Sequence, residues 1–427
     1  MDFIERFNLI VSIVFMFFYS YQFFYIPVSL LFAKKRKTQV DAENRYAVLI
    51  CARNEELVIG DLLQSIEAQT YPKDRISVFV MADNCTDDTA ETARSYGASA
   101  YIRRDPVNIG KGYALERLMQ LISADHPEGF DGYFVFDADN VLEPAYIEEM
   151  DKTFREGHDI VTSYRNSKNF GDNWISAGYA LWFMRESRFL NGARSILGTS
   201  CAVSGTGFLF SRKIAEEMGT WKYHLLTEDI EFSIDQIIKG RKVAYCPYAM
   251  LYDEQPVDLG QSVRQRLRWA KGYVQVFSRY GAEMIKSCFT GSFSSYDMCA
   301  SIMPAFVLSV ITMAVNIASG ICAAAAERSM ITLAADLGSM MSGAYLTMFI
   351  IGAVTTVSEW KMIHTAWYKK VFYTFTFPLF MMTYIPISVA ALFMKVKWKP
   401  VRHTVSLKVI KSRNREECPD IIGIAGN

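Results

Sequence analysis

Apolar positions divide this chain into two kinds of sequence. Residues 9–32 run 24 positions without a charge, and further apolar stretches occupy 302–326, 331–357 and 371–394. Each is long enough to cross a hydrocarbon layer of about 30 Å at about 1.5 Å per residue. Between them, residues 40–290 alternate short apolar runs with amphipathic ones. Residues 46–51, 76–82, 100–102 and 133–136 predict strands, and 54–69, 86–96 and 111–123 predict the helices that follow the first three. This alternation predicts an α/β domain built on a doubly wound, mostly parallel sheet.

Beyond Asp159 the pattern changes. Residues 174–190 place Trp, Tyr, Phe and Leu at helical spacing with Arg185, Glu186 and Arg188 interleaved. They predict an amphipathic helix, lying either at a membrane surface or against the sheet. A second such helix is expected over 262–285, with five basic residues among aromatics. The chain then divides into a membrane helix with its basic flank (1–39), a soluble domain (40–260), an interfacial helix region (261–300), a membrane region (301–394) and a basic tail (395–427).

Charge fixes the expected orientation. Lys34-Lys35-Arg36-Lys37 follows the first apolar run at once, which puts that end in the cytoplasm by the positive-inside rule. A cleaved signal peptide has the opposite charge order and a shorter apolar core. The soluble domain is therefore expected to face the cytosol of a bacterial cell, from its plasma membrane. Four crossings would carry the basic tail outside, against the same rule; Pro378 and Pro386 leave room for a re-entrant or interfacial last segment.

Composition removes several functions. The 45 basic and 45 acidic residues cancel, which argues against a nucleic-acid partner held by bulk electrostatics. Cysteines at 51, 85, 201, 246, 288, 299, 322 and 418 show no paired metal-ligand spacing and are expected as free thiols. The five histidines are scattered singly, so a zinc site is not expected.

Candidate chemistry lies beyond the strand ends, where open α/β sheets place ligands. Asp137-Ala138-Asp139 can offer two carboxylates to a hard divalent ion, Mg²⁺ or Mn²⁺, completed by diphosphate oxygens. Asp83-Asn84 ends the second strand and can accept from a base and ribose, or serve as a turn and helix cap. Lys111, between two glycines, can offer an ammonium to phosphate or simply open a helix; the spacing is not that of a P-loop. Thr227-Glu228-Asp229 precedes a helical run and reads either as a cap with acids in the first turn or as a site with Asp229 as general base. Gly205-Thr206-Gly207 is either a turn or a bare surface for an acceptor. Gln265, Arg268 and Trp269 share one helical face that can bind diphosphate and stack on a sugar.

Taken in order, Ala52-Arg53-Asn54-Glu55, Asp83, Lys111, Asp137/Asp139, Gly205-Thr206-Gly207, Thr227-Glu228-Asp229 and Gln265-x-x-Arg268-Trp269 resemble the motifs of the membrane-integrated family 2 glycosyltransferases, which include cellulose, chitin and hyaluronan synthases. The resemblance covers residues 46–272. It implies a GT-A fold that binds a UDP-sugar. Asn54, Glu55, Asp83 and Lys111 would contact uridine and diphosphate, Asp137 and Asp139 the nucleotide and metal. Asp229, with Glu228 beside it, would be the base; Gln265, Arg268 and Trp269 would close over diphosphate and acceptor. Inversion of an α-linked donor would give a β-glycosidic bond. Two departures stand out: Cys51-Ala52-Arg53 replaces the Pro or Tyr of many members, and the Gly-Thr-Gly motif differs in its middle residue from several synthases. Trp398 and His403 loosely resemble a Trp-containing cytosolic gating segment near the end of some synthases.

The expected activity is a processive β-glycan synthase that secretes its product between the membrane helices, alone or with an accessory protein or second copy. The alternative enzyme adds one sugar to a lipid acceptor carried by ceramide, diacylglycerol or a polyprenyl chain. A rival of another class is a transporter or membrane scaffold whose soluble domain only binds nucleotide.

Overall fold

The computed structural model describes residues 3–32, 44–303 and 330–398, with isolated positions that include Asn316 and His403. The basic flank at 34–37, most of the expected span 302–326 and most of the tail lie outside the described residues. Eight strands form one sheet: β1 Tyr46–Ala52, β2 Ile76–Asp83, β3 Ser99–Arg103, β4 Gly132–Asp137, β5 Val141–Leu142, β6 Ile160–Ser167, β7 Phe208–Ser211 and β8 Val243–Asp253. Their order is β3-β2-β1-β4-β7-β6-β8-β5. β3, β2, β1 and β4 run parallel, as do β6 and β8, while β7 and β5 run against their neighbours.

The period of two along β1 explains why it sits in the middle. Ala47 and Leu49 face one core with Phe79, Leu115, Leu118 and Ile122, the last three from the helix Lys111–Asp125. Tyr46, Val48 and Ile50 face the other, with Leu62 and Ile66 of Ile59–Glu67 and Ile147 and Met150 of Tyr146–Phe154. Every residue from Tyr46 to Ile50 is fully buried, and each large apolar side chain so placed contributes about 1.5–3 kcal/mol. The chain therefore leaves both neighbours of β1 pointing their carboxyl ends into one crevice, between the loops after β1, β2 and β4.

Among the described residues three helices have the length and hydropathy of membrane spans: Arg6–Leu31, Met341–Ser358 and Trp367–Phe393. The last is interrupted at Thr383, dividing Trp367–Met382 from Tyr384–Phe393. Pro386 stands in the first turn of the second piece, where a missing N–H is tolerated. The helix expected at 174–190 runs as Trp174–Arg185, a π-helical turn Glu186–Asn191, and Gly192–Ile196. Asn173 caps it, accepting from the Ile175 and Ser176 amides. It is buried on nearly all sides, between β6 and the helices Met330–Ser358 and Trp367–Met382.

The long helix Leu259–Phe289 carries the basic aromatic motif. Arg266 on this helix is fully buried against the break in the last span. It donates to Phe380 O at 3.2 Å and Thr383 Oγ1 at 2.5 Å, with its guanidinium 4.5 Å from the Phe380 ring centroid and 4.9 Å from that of Tyr384. A buried ion pair fixes the N-terminal helix in turn: Arg194 donates to both Asp297 oxygens at 2.7 and 2.8 Å, and Tyr21 and Tyr25 donate to the same carboxylate.

Candidate active site

The loops after the strands deliver the acids to one place. β2 ends at Asp83 and β4 at Asp137. β7 runs antiparallel, so its entry, Thr206-Gly207, lies beside the end of β4: Asp137 N donates to Thr206 Oγ1 at 2.9 Å, and Gly207 N to Val135 O at 2.9 Å. Gly207 has φ 66°, and a Cβ there would meet Leu251 Cδ2 at 2.0 Å, so its glycine is a packing requirement. Lys111 opens its helix after Gly110; a Cβ on the next residue, Gly112, would sit 2.1 Å from Tyr223 O. This close approach sets the Lys111 ammonium on Asp137 and, at 2.7 Å, on Gly205 O.

Glu228 and Asp229 form the first turn of the helix Glu228–Ile238. Burial raises the pKa of both carboxyls, and Asp229 raises that of Glu228 further; Lys111 and Arg268 work in the opposite direction. Arg268 donates to Leu226 O at 2.7 Å, and Trp269 stands edge-on to Tyr179 and Phe183. Asp139 is buried and accepts from Glu254 N at 2.9 Å; burial opposes its charge, but His403, Lys168 and Arg165 hold its pKa below the ordinary value.

One cavity of about 1370 Å³ joins these groups. Glu55, Asp83, Lys111, Asp137, Asp139, Gly205, Glu228, Asp229, Gln265, Arg268 and Trp269 all line it. The other three expected residues do not. Asn54, at φ 57°, turns away and accepts from Thr86 N at 2.8 Å, holding the loop after β1 to the loop after β2. Thr206 and Gly207 lie behind Asp137 as its support. Asp83 is itself held by Arg103, which donates at 2.6 Å and also pairs with Asp105.

Two lining residues, Arg165 and Asp253, escaped the motif reading, and two more, Trp398 and His403, were noted there without a place in the site. Arg165 bridges Asp253, donating through Nε at 2.6 Å, and reaches Ser204 O at 2.8 Å. From the tail, His403 Nδ1 lies 3.0 and 3.1 Å from the two Glu55 oxygens, and the Trp398 ring lies 5.2 Å from the Arg53 guanidinium. Arg165 and Asp253 had no local signal, because they meet only across paired strands.

Three lining residues carry buried polar atoms with no hydrogen-bond partner: Arg53 Nη1, Thr227 Oγ1 and Gln265 Oε1. Such atoms are costly unless something else completes them, which fits a polar ligand at this end. Among the described residues no trio of His, Cys, Asp or Glu is placed to hold an ion on protein ligands alone. Mg²⁺ or Mn²⁺ needs only one or two carboxylates when substrate phosphates supply the rest. The hard oxygen donors of Asp137 and Asp139 fit that mode.

A sequence model described as glycosyltransferase like family 2 matches residues 44–272. A probable glycosyltransferase, YdaM, from Bacillus subtilis is 26% identical over 57% of this chain and 58% of its own length. The β-monoglucosyldiacylglycerol synthase of a Nostoc species is 24% identical over 66% and 60%. The poly-β-1,6-N-acetyl-D-glucosamine synthase of Staphylococcus aureus is 27% identical over 60% and 62%. The chain thus spans about three fifths of the length of these curated relatives. In fold it is similar to the mannosyltransferase PcManGT of Pyrobaculum calidifontis, solved with GDP-Man and Mn²⁺, with a TM-score of 0.55 and 16% identity over 90% of this chain and 98% of that one. The family match covers the strands and acids that build the cavity, and the chain belongs to glycosyltransferase like family 2.

Proposed function

We propose that this chain transfers a hexosyl group from a UDP-sugar to a membrane-held acceptor, with inversion, on the cytosolic side of a bacterial plasma membrane. The observation that carries the reading is the position of Asp229. It lines one continuous cavity with Lys111, Asp137 and Asp139 at one end and membrane-helix residues such as Phe15 and Met348 at the other. Asp83, with Glu55 and Arg53 near it, would hold the nucleoside; Lys111, Gln265 and Arg268 would hold the diphosphate. Asp137 and Asp139 would hold Mg²⁺ or Mn²⁺, which when bound offsets charge on the departing diphosphate. Asp229 takes the acceptor hydroxyl proton as that oxygen attacks the anomeric carbon from the face opposite the diphosphate. The bond to diphosphate breaks, UDP leaves, and an α-linked donor yields a β-glycoside. Trp269, braced by Tyr179 and Phe183, forms the wall against which the sugar rests.

The relatives named above include both a polymer synthase and a lipid glycosyltransferase. A processive β-glycan product is the expectation from the resemblance. The membrane end is lined mainly by apolar side chains such as Phe15, Met16 and Met348, which suit a lipid acceptor, with Ser12, Gln22, Asn316 and Thr347 among them. Purified protein in detergent, given a panel of nucleotide sugars with Mn²⁺ and membrane lipid, should release UDP from one donor. Asp229→Asn should abolish that release while UDP still binds. Release from GDP-sugars only would remove the UDP assignment, and wild-type turnover in the variant would remove the base.

A further inference from the structure

The cavity that begins at the catalytic acids continues between the membrane helices. Its far walls are Phe15, Met16 and Tyr19 of the N-terminal helix, Met348 and Ile351 of Met330–Ser358, and Ile385. At about 1370 Å³ it exceeds the roughly 300–1,000 Å³ that serves one small ligand. The proposed donor site takes up the polar end, which leaves the mainly apolar chamber to an acceptor.

Arg185 lines this cavity where it meets the first span. It donates to Gln22 Oε1 at 3.0 Å, and its guanidinium lies 5.0 Å from the Trp182 ring centroid. The two neighbouring buried arginines are neutralised by carboxylates, Arg165 by Asp253 and Arg194 by Asp297. Arg185 has no carboxylate within ion-pair distance among the described residues; its hydrogen-bond partner is a neutral amide. Burial lowers its pKa to about 10. Arg53 and Arg268 also line the cavity with no ion pair among the described residues, but at the nucleotide end, where nucleoside and diphosphate are their proposed partners. A buried cation left without an anion is costly, and Arg185 stands beside an apolar chamber rather than a nucleotide. Glu186, the adjacent acid in the cavity, has its pKa raised by burial against the pull of Arg194, Arg165 and Arg185, and it makes no ion pair with Arg185 among the described residues.

We propose that the acceptor is a phosphate-bearing lipid with a free headgroup hydroxyl, seated with its hydrocarbon between these helices and its phosphate on Arg185. This rests on the transferase reading above, with the headgroup hydroxyl as the oxygen that Asp229 deprotonates. The hydroxyl proton passes to Asp229, the new bond joins that oxygen to the anomeric carbon, and UDP leaves with the electron pair of the broken bond.

The test is native mass spectrometry of the full-length protein in detergent, titrated with phosphatidylglycerol or with diacylglycerol of the same acyl chains. Wild type and Asp229→Asn should bind phosphatidylglycerol at least about tenfold more tightly than diacylglycerol, the scale of one charge-assisted contact. Arg185→Gln should lose that preference and Arg185→Lys should keep most of it. Met348→Trp, which fills the chamber, should weaken both lipids alike, and it tests the seat even where Arg185→Gln does not fold. Radiolabelled UDP-sugar should mark phosphatidylglycerol in the wild type. Equal affinity for the two lipids, an Arg185→Gln variant that keeps the preference, or label on diacylglycerol or a polyprenyl phosphate alone would overturn the proposal. A full lipid preference combined with wild-type turnover in Asp229→Asn would instead sink the base assignment and leave the lipid seat standing.

Discussion

The Lys111 ammonium is shared between the Asp137 carboxylate and the Gly205 carbonyl oxygen, which joins the end of β4 to the loop that enters β7. One cation thus sets the position of an expected metal ligand and of the backbone facing Asp229. Lys111→Met should raise the KM for donor by about 10- to 100-fold, the range for a lost charge-assisted contact. Lys111→Arg should not restore it, because a planar fork does not replace a compact ammonium. Asp139→Ala should behave differently. Calorimetric titration with UDP should lose the increment that Mn²⁺ adds and keep the metal-free affinity; an undiminished Mn²⁺ effect would take Asp139 out of the metal site.

Glu228 and Asp229 predict a pH signature. Glu228 is pushed up to about 7, chiefly by burial and then by Asp229, and Asp229 is raised as well. The base works only when ionised, so the rise of kcat/KM with pH should lie above the usual carboxylate range. Glu228→Gln removes the higher-lying titration of the pair, so any part of the climb near pH 7 should disappear while the limb set by Asp229 remains. Stability follows the same sign. An acid with a raised folded pKa binds an extra proton when folded, so stability is lost as pH rises from about 4.3 towards the folded value. Glu228→Gln should therefore gain thermal stability over wild type at pH 8 and little at pH 5. A climb near pH 7 that persists in this variant would take Glu228 out of the pH profile.

How much of this was legible in sequence follows from where each signal resides. β1, β2 and β4 are continuous apolar runs ending in an acid or beside one, and they lie where their pattern places them. β6 escaped because Thr162, Ser163, Asn166 and Ser167 are buried polar residues. Their partners are tertiary: Ser163 Oγ donates to Gly207 O at 2.8 Å and Asn166 Nδ2 to Met362 O at 3.0 Å. β8 escaped because Pro247 breaks its pattern; the pairing with β6 skips from Cys246 to Met250, bulging the intervening residues outward. The helix expected from residue 54 starts at Ile59, because Asn54 takes a positive φ and holds the loop after β2 instead. The motif acids were legible as a set since each closes a strand or opens a helix. The cavity and Arg185 were not, because they depend on helices brought together from opposite ends of the chain.

Arg266 tests the joint between the catalytic domain and the last span. Its charge is met by aromatic faces and three oxygens, Ser262 O, Phe380 O and Thr383 Oγ1, with no carboxylate within ion-pair distance among the described residues. Lysine cannot lie flat on Phe380 and Tyr384 while donating to Phe380 O and Thr383 Oγ1. Arg266→Lys should cost about 1–3 kcal/mol and Arg266→Ala about 3–5 kcal/mol, the latter leaving a void and unpaired groups. Thermal unfolding in detergent, followed by tryptophan fluorescence, should show both drops in that order. Equal midpoints for Arg266→Lys and wild type would mean that charge alone, and not the planar stack, holds the joint.

Glu55 and His403 stand 348 positions apart and meet at the rim of the nucleotide end. Burial works against the imidazolium, but Asp139 and Glu55 outweigh it and keep the ring charged, with a pKa of about 10. His403 is thereby fastened to the loop after β1 by an ion pair that solvent hardly reaches. If that contact is what seats the tail, removing either partner should have nearly the effect of removing both. Glu55→Gln and His403→Ala should each weaken UDP binding, and the double variant should fall no further, giving a coupling of about 1–3 kcal/mol in a double-mutant cycle. Arg53→Ala, which frees the Trp398 ring, should lower affinity in the same direction and shorten the residence of UDP in a stopped-flow chase. Strictly additive losses for Glu55 and His403 would show that the two residues act on the nucleotide separately, and that the tail is not held there by this pair.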